Sequence, residues 1–190
     1  MSERTLVLMA RASLPAKTFA DYMAYAKANP GKINFAMTAP GGVAHLAGSW
    51  IHSSNNSTVT FVPYKGTGPM LPDMISGRTD VTVPYLSLAM PMVKDGTMRV
   101  LAVMGEKRSR LQPDAPTVAE YIPGFNYVNW GGFVAPAATP AATVNKLSEA
   151  FAKTAKVSEV VASFEADGDT TVGSTPAEFR QRILSETDRW

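Results

Sequence analysis

Three short loops rich in glycine, hydroxyl and aromatic residues hold the side chains of this sequence that could recognise a ligand. The first is Thr38-Ala39-Pro40-Gly41-Gly42-Val43-Ala44-His45, between a predicted strand and a predicted helix. Glycines let a backbone approach a ligand closely, and the following helix offers free N–H groups to an anion. The loop therefore predicts an anion-binding turn, although a simple tight turn explains the same residues equally well. It lacks the spaced glycines and the later acidic residue of a dinucleotide site.

The second loop, Val62-Pro63-Tyr64-Lys65-Gly66-Thr67-Gly68, has the same pattern and adds an aromatic ring, a cation and a hydroxyl group. A surface turn with a solvated lysine is the alternative interpretation. Pro84-Tyr85-Leu86-Ser87 is a third loop of this kind. Three such loops at strand ends predict a binding cleft more strongly than any one of them alone.

Catalytic and metal-ion chemistry have weak support in this sequence. Its only histidines are His45 and His52, seven residues apart on one predicted helix face. A zinc pair usually has a spacing of about three to five residues with acidic neighbours, so a polar or capping role is the simpler interpretation. No Gly-x-Ser-x-Gly motif occurs, and Asp73 and Asp80 are the only carboxylates between residues 22 and 94. We expect no catalytic residue, no metal and no cofactor.

Composition sets further limits on function. The 190 residues suit one domain or two small lobes, and no apolar stretch approaches the ~20 residues of a membrane span. The net charge of +2, without a basic stripe, argues against a nucleic-acid partner. The absence of cysteine excludes disulfides and thiol chemistry. The first residues lack an apolar segment, so no signal peptide is expected.

The elements that must position these loops alternate along the chain. The predicted strands cover residues 6–10, 33–37, 58–62, 81–83, 99–104 and 127–135. The predicted helices begin after Thr18, at Val43, at Pro69, at Leu86, at Pro140 and at Pro176. The predicted N-caps include Thr139 before Pro140, and Thr18 with Asp21 and Thr175 with Glu178 have the spacing of capping boxes. Residues 105–125 are proline-rich and irregular. This alternation predicts an α/β fold with a largely parallel sheet.

Several motifs resemble the Bug family, the TctC-like periplasmic solute-binding proteins that deliver carboxylates to tripartite tricarboxylate transporters. The resemblance runs nearly end to end. The matching motifs are Asn29-Pro30-Gly31-Lys32, His45-Leu46-Ala47-Gly48, Val62-Pro63-Tyr64-Lys65-Gly66, Gly77-Arg78-Thr79-Asp80-Val81, Pro116-Thr117-Val118-Ala119-Glu120 and Gly131-Gly132-Phe133-Val134-Ala135-Pro136.

The resemblance implies a two-lobed type II periplasmic binding protein that closes on its ligand by a hinge motion. Residues 1–12 and 129–136 would be crossover strands, residues 13–128 the second, ligand-binding lobe, and residues 137–190 the C-terminal helical part of the first lobe. In that family, backbone amides and ordered waters at strand-end loops grip the ligand carboxylates. The matching positions here are Thr38, Ala39, Gly41, Gly42, Val43, His45, Tyr64, Lys65, Gly66, Thr67, Tyr85 and Ser87.

Two departures from the family pattern bear on the ligand and on the size of the protein. The family usually has a serine-like residue near Val43 and an aspartate near Pro84-Tyr85, and both neighbourhoods are more apolar here. This favours an aromatic or alkyl carboxylate over an amino acid. The N-terminal part of the first lobe, which supplies half of the carboxylate site, is also expected to be missing, so the chain would be a truncated receptor.

The expected truncation would leave the C-terminal helices without their usual partners. Their apolar side chains are Val144, Leu147, Phe151, Val160, Phe164, Phe179 and Ile183. We expect these side chains to be buried against a second copy of the chain in a homodimer. A monomer with the helices folded over the second lobe is the alternative.

The predicted function is capture of a small carboxylate, a di- or tricarboxylate or an aromatic acid, outside the cytoplasm. The family implies a periplasmic location and membrane transporter subunits as partners, and a fragment that no longer binds is one outcome of the truncation. A ligand-sensing effector domain of a regulator is the alternative within binding modules. A small α/β hydrolase that uses Ser87 or His45 is the alternative from another class.

Overall fold

The computed structural model describes residues 2–190, and the chain divides into two compact units. The larger unit is Thr5–Val128, and the smaller one combines the segment that ends at Arg4 with Asn129–Trp190. The lobe boundaries expected at residues 12, 128 and 136 stay predictions, and Met1 of the expected crossover 1–12 lies outside the described residues.

The strands and helices follow one another in the order that the sequence predicts for an α/β protein. The strands are β1 Ser2–Arg4, β2 Val7–Arg11, β3 Asn34–Met37, β4 Thr60–Pro63, β5 Val81–Thr82, β6 Met98–Val103, β7 Asn129–Gly131 and β8 Thr170–Thr171. The helices are α1 Phe19–Ala28, α2 Val43–Ser54, α3 Thr67–Ile75, α4 Leu86–Lys94, α5 Ala141–Thr154, α6 Ser158–Ala166 and α7 Pro176–Arg189. Within the described residues, no helix combines the length and the apolar character that a bilayer crossing needs.

The larger unit is built on a five-stranded sheet in the order β4-β3-β5-β2-β6. Strand β3 is parallel to β4 and β5, whereas β2 is antiparallel to both β5 and β6. Four strands therefore run in one direction, and their carboxyl ends share one edge of the sheet. The prediction of an α/β fold with a largely parallel sheet is confirmed.

Helices cover both faces of this sheet, which explains the unbroken apolar run in β2. Leu8 and Ala10 pack in one hydrophobic cluster with side chains of α1 and α2. Val7 and Met9 pack in the other cluster with side chains of α3 and α4. Successive side chains of a strand point to opposite faces, so a strand that is buried on both faces has no polar alternation.

Asp80 ties three strands together at the amino edge of the sheet. Its carboxylate accepts hydrogen bonds from Arg11 Nε at 2.7 Å and from the Asn34 backbone N–H at 2.8 Å. The Asp80 N–H donates to the Asn34 carbonyl, and its carbonyl accepts from the Arg11 N–H. The side chain of Asp80 is only 8% exposed. These bonds fix β2, β3 and the start of β5 in register.

A second ion pair organises the proline-rich segment after β6. Arg108 forms a two-bond pair with Glu120, at 2.9 Å to Oε1 and 2.6 Å to Oε2. Glu120 Oε1 also accepts from the Thr117 N–H at 2.9 Å. The bonds to Arg108, followed by the bond to Thr117, lower the pKa of Glu120 to about 2. The Pro-Thr-Val-Ala-Glu motif therefore has a structural role in the larger unit.

His52 is buried with both ring nitrogens occupied. Nε2 lies 2.8 Å from the Tyr22 hydroxyl, and Nδ1 lies 2.9 Å from Ser57 Oγ. The residue is 3% exposed, and burial lowers its pKa to about 4. Because burial lowers the pKa of His52 well below 7, the imidazole is neutral in the folded protein near pH 7.

The smaller unit has a three-stranded antiparallel sheet, β7-β1-β8, and the helices α5, α6 and α7. Arg4 Nε bonds to Asp169 Oδ2 at 3.0 Å inside this unit. None of the three helices has a fully buried residue. Their apolar sides border a groove of about 870 Å³ that is lined by residues including Phe133, Leu147 and Phe151.

The predicted strand 127–135 was too long, and the short strands β1 and β8 were missed. In the described residues the strand covers only Asn129–Gly131, which pairs with β1 from Arg4↔Asn129 to Ser2↔Gly131. Beyond that point Phe133 and Val134 are 76% and 83% exposed. The predicted start of α5 was also shifted by one residue, since Pro140 is the N-cap in place of Thr139. The capping boxes at Thr18 and Thr175 are confirmed.

Replacing Asp80 with Asn tests the Asp80 contacts. An amide has one acceptor oxygen, so it cannot serve both Arg11 and the Asn34 N–H, and it leaves the arginine charge unpaired. We expect Asp80→Asn to lower the free energy of unfolding by about 3 kcal/mol in urea denaturation. The Asp73–Arg78 pair offers the control Arg78→Gln, because the arginine side chain is 75% exposed, and the expected loss is below about 1 kcal/mol. Equal losses in the two variants would contradict this account.

The neutral, buried His52 predicts a pH dependence of stability. The unfolded chain binds a proton near pH 6.5, whereas the folded chain binds it only near pH 4, so acid favours unfolding in that window. We expect the free energy of unfolding to fall by about 2 kcal/mol between pH 7 and pH 5, measured by urea titration. His52→Gln should remove most of this slope and His45→Gln should keep it. A wild-type stability that is flat over this range would sink the prediction.

Candidate ligand-binding site

The structure brings the three predicted loops to one edge of the larger unit. One loop follows β3, the next follows β4 and the third follows β5, and these strands are parallel. The Tyr64 N–H donates to the Met37 carbonyl at 2.8 Å, which joins the first two loops at their start. The Leu86 N–H donates to the Thr5 carbonyl at 2.9 Å. In open α/β sheets this carboxyl edge is where ligands bind.

The three helices that begin at this edge have no capping side chain. Their N-cap residues are Gly42 for α2, Gly66 for α3 and Tyr85 for α4. Of the helices that begin elsewhere, α1 and α7 have complete capping boxes, while α5 and α6 have no capping side chain. Uncapped helix N-termini keep backbone N–H groups and a partial positive charge for an anionic partner. In α2 these free amides belong to the first turn, residues 43–45.

Glycine is required in the first two loops for its backbone conformation. Gly41 has a φ of +74° and Gly66 a φ of +120°, both in the left-handed region. A Cβ at either position would touch nothing within 4 Å, so backbone strain is the constraint and crowding is not. Gly48 of α2 differs, because its Cβ would lie 2.8 Å from the Phe35 ring. The absence of a side chain at Gly48 therefore allows α2 to lie close to β3. The sequence analysis did not predict this role.

His45 closes the first loop onto the start of α2. The Gly41 backbone N–H donates to His45 Nδ1 at 3.0 Å. The imidazole packs edge-on against the Phe61 ring of β4, with centroids 4.7 Å apart and an interplanar angle of 75°. The side chain therefore links the loop, the helix and the neighbouring strand.

Tyr64 turns its hydroxyl group towards α3. The hydroxyl donates to Asp73 Oδ2 at 2.8 Å, and Arg78 bonds to the other Asp73 oxygen at 2.8 Å. Desolvation and the bond to Asp73 raise the pKa of Tyr64. The bonds from Tyr64 and Arg78 lower the pKa of Asp73. The phenol anchors the second loop, and nothing in the sequence pairs these two side chains.

The remaining predicted contact residues differ in their exposure. Thr38, Ala39, Lys65 and Thr67 are exposed, while Tyr85 and Ser87 are half-buried. In the described part of the chain, the Lys65 ammonium and the Ser87 hydroxyl have no protein partner. No Asp or Glu occurs in residues 38–45, 64–67 or 84–88. The edge therefore presents donors without a carboxylate acceptor, which suits an anion.

Metal binding has no structural support in the residues that the structure describes. No group of three or more His, Asp or Glu side chains there is arranged to hold an ion. His45 and His52 have separate partners, so they do not form the pair that their spacing on one helix face allows. The chemistry that this edge supports is non-covalent recognition of an anion.

Comparison with protein families places the whole chain in one family. Residues 1–190 match the family model described as "Tripartite tricarboxylate transporter family receptor" (TctC). The chain is 30% identical to protein BugT from Bordetella pertussis over 186 residues. The matched region covers 97% of this chain and 57% of BugT. It spans about half the length of the curated relatives that it matches, 50% to 57% for the first three.

Solved structures of similar proteins have the same fold. The structure of Rhodopseudomonas palustris Rpa4515 with adipate matches with a TM-score of 0.91 at 29% identity, over 100% of this chain and 64% of that one. The structure of MatC from Rhodopseudomonas palustris with bound malate matches with a TM-score of 0.86 at 26% identity, over 100% and 66%. These matches confirm the predicted type II periplasmic binding protein fold, with one complete lobe and part of the other.

Proposed function

This chain belongs to the tripartite tricarboxylate transporter receptor family, and from that premise we propose that it captures a small carboxylate outside the cytoplasm. The observation that carries the proposal is the meeting of three uncapped helix N-termini at one edge of the sheet. The first turns of α2 and α3 offer free N–H donors, whereas in α4 the Leu86 and Leu88 N–H groups bond to the Thr5 and Tyr85 carbonyls. All three helix ends carry a partial positive charge, which suits an oxyanion. Recognition without covalent chemistry is the role that this donor set supports.

The charges of the three loops indicate the class of ligand. The related structures hold adipate and malate, both carboxylates without an ammonium group. The loops here have no Asp or Glu to pair with an ammonium group, and the helix N-termini would repel one. Val43 and Tyr85 add apolar surface beside the donors. We therefore favour an alkyl or aromatic carboxylate over an amino acid as the ligand.

The family membership also supports a location and a partner for the whole protein. A receptor of this class would work in the periplasm and would hand its ligand to the membrane subunits of a tripartite tricarboxylate transporter. Capture requires binding and release without turnover, which agrees with the donor-only edge of the larger unit.

A thermal-shift titration of this 190-residue chain tests the proposal. Adipate, malate, citrate and benzoate are compared with aspartate. A ligand present at 100 times its Kd stabilises the folded state by about 2.7 kcal/mol. We expect at least one acid without an ammonium group to raise the melting temperature and aspartate to have a smaller effect. No shift with any acid at millimolar concentration would refute carboxylate binding by this chain.

Thr67 offers matched variants that separate backbone from side-chain recognition. Thr67 is the first residue of α3, where proline is tolerated, and Gly66 before it has an extended ψ of 176°. In the same titration, Thr67→Pro removes the N–H and the hydroxyl, whereas Thr67→Ala removes only the hydroxyl. Thr67→Pro should reduce the shift clearly more than Thr67→Ala does.

We also propose that the chain forms a homodimer through the apolar groove of the smaller unit. Phe151 and Leu147, which line it, are 42% and 45% exposed, and apolar patches of this kind commonly mark association surfaces. We expect sedimentation equilibrium to give twice the chain mass of 20.3 kDa and Phe151→Asp to give the single mass. A wild-type protein with the mass of one chain at micromolar concentration would remove the dimer.

A further inference from the structure

We propose that His45 donates a hydrogen bond to the bound carboxylate through Nε2–H, and that Gly41 fixes the tautomer which makes this bond available. The proposal rests on the carboxylate-binding function above and adds a side-chain contact to it. It assigns a specific donor atom to a histidine that is already among the expected ligand contacts.

The contact with Gly41 determines where the imidazole proton lies. A backbone N–H can only donate, so Nδ1, at 3.0 Å, must accept with its lone pair. The proton of the neutral ring is then on Nε2, which becomes a donor. Only this tautomer is compatible with the contact, because the Gly41 N–H can donate a hydrogen bond but cannot accept one.

The ring is also held in place. His45 is attached to the first turn of α2, its Nδ1 is bonded to the loop, and its ring is in T-shaped contact with the Phe61 ring at a centroid distance of 4.7 Å. These three restraints orient the imidazole before a ligand arrives. A donor that is already oriented loses little conformational entropy on binding.

The free nitrogen lies at the edge where the ligand is expected. Because Nδ1 reaches back to Gly41, the ring lies over the N-terminal end of α2 and not beside its middle. No protein group in residues 2–190 pairs with Nε2, and the first-turn amides of α2, residues 43–45, are uncapped. An Nε2–H group beside these amides adds a neutral donor for a carboxylate oxygen, and such charge-assisted bonds are strong.

His52 is the internal contrast on the same helix. Both of its ring nitrogens have protein partners, Tyr22 and Ser57, and the residue is 3% exposed. It has no nitrogen left for a ligand. The same residue type thus has a structural role at one end of α2 and a recognition role at the other.

Two substitutions at position 45 separate the two nitrogens. In His45→Asn the side-chain oxygen lies near the position of Nδ1, so it can still accept from Gly41 but offers no donor at the position of Nε2. In His45→Gln the amide reaches the position of Nε2 and can donate, but Gly41 loses its acceptor. Both variants are first compared with wild type for melting temperature, so that a folding defect is recognised.

The binding measurement uses calorimetric titration of adipate, malate and benzoate into each chain. Loss of a hydrogen bond to a charged group costs about 1.5–3 kcal/mol, so His45→Asn should weaken binding about ten- to hundredfold. His45→Gln should recover part of that loss. If wild type binds and His45→Asn binds equally well, the proposed contact is wrong while the carboxylate function stands. If wild type binds none of the three acids, the function itself fails.

A spectroscopic test addresses the tautomer without any ligand. Long-range nitrogen–hydrogen correlation NMR spectra of the isotope-labelled chain should show His45 protonated on Nε2 and unprotonated on Nδ1. Addition of a bound acid should then shift the Nε2–H resonance of His45 and leave that of His52 nearly unchanged. A proton on Nδ1 of His45 would overturn the proposal whatever the affinities are.

Discussion

The arrangement of the larger unit depends on the hydrogen bonds that the Asp80 carboxylate accepts. It bonds to β2 through Arg11 and to β3 through Asn34, while its own backbone enters β5. A register slip of one residue would move every side chain of a strand to the opposite face. In a sheet with helices on both faces, such a slip would exchange the two hydrophobic clusters. The bonds at the amino edge therefore fix where the carboxyl ends of the strands finish.

The two edges of this sheet differ in how their polar groups are satisfied. At the amino edge the polar groups of Asp80, Arg11 and Asn34 satisfy one another. At the carboxyl edge three helices begin without a capping side chain. A missing cap costs about 1 kcal/mol per helix, so the fold gives up stability there. Departures from local stability rules are expected where a protein binds its ligand.

Local patterns predicted the elements whose cause is local. The capping boxes at Thr18 and Thr175 and the alternation of strands and helices needed only neighbouring residues. The strands β1 and β8 were missed, because two- and three-residue strands form only through pairing such as Glu3↔Thr170. Tyr64 was predicted as a ligand contact from its place in a loop, and that contact stays a prediction. Its bond to Asp73 depends on how α3 folds back, and no spacing rule in the sequence encodes it.

The two histidines of α2 show that the position of a residue along a helix, as well as the face on which it lies, determines which groups surround it. Residues seven apart lie on one face, so periodicity alone gives His45 and His52 the same surroundings. The structure separates them, because α2 starts at the exposed edge and continues into the core beside Phe35 and Tyr22. Two turns into the helix, hydroxyl groups take both nitrogens of His52. At the first turn the Gly41 backbone N–H bonds to Nδ1 of His45, and no group in residues 2–190 pairs with the other ring nitrogen.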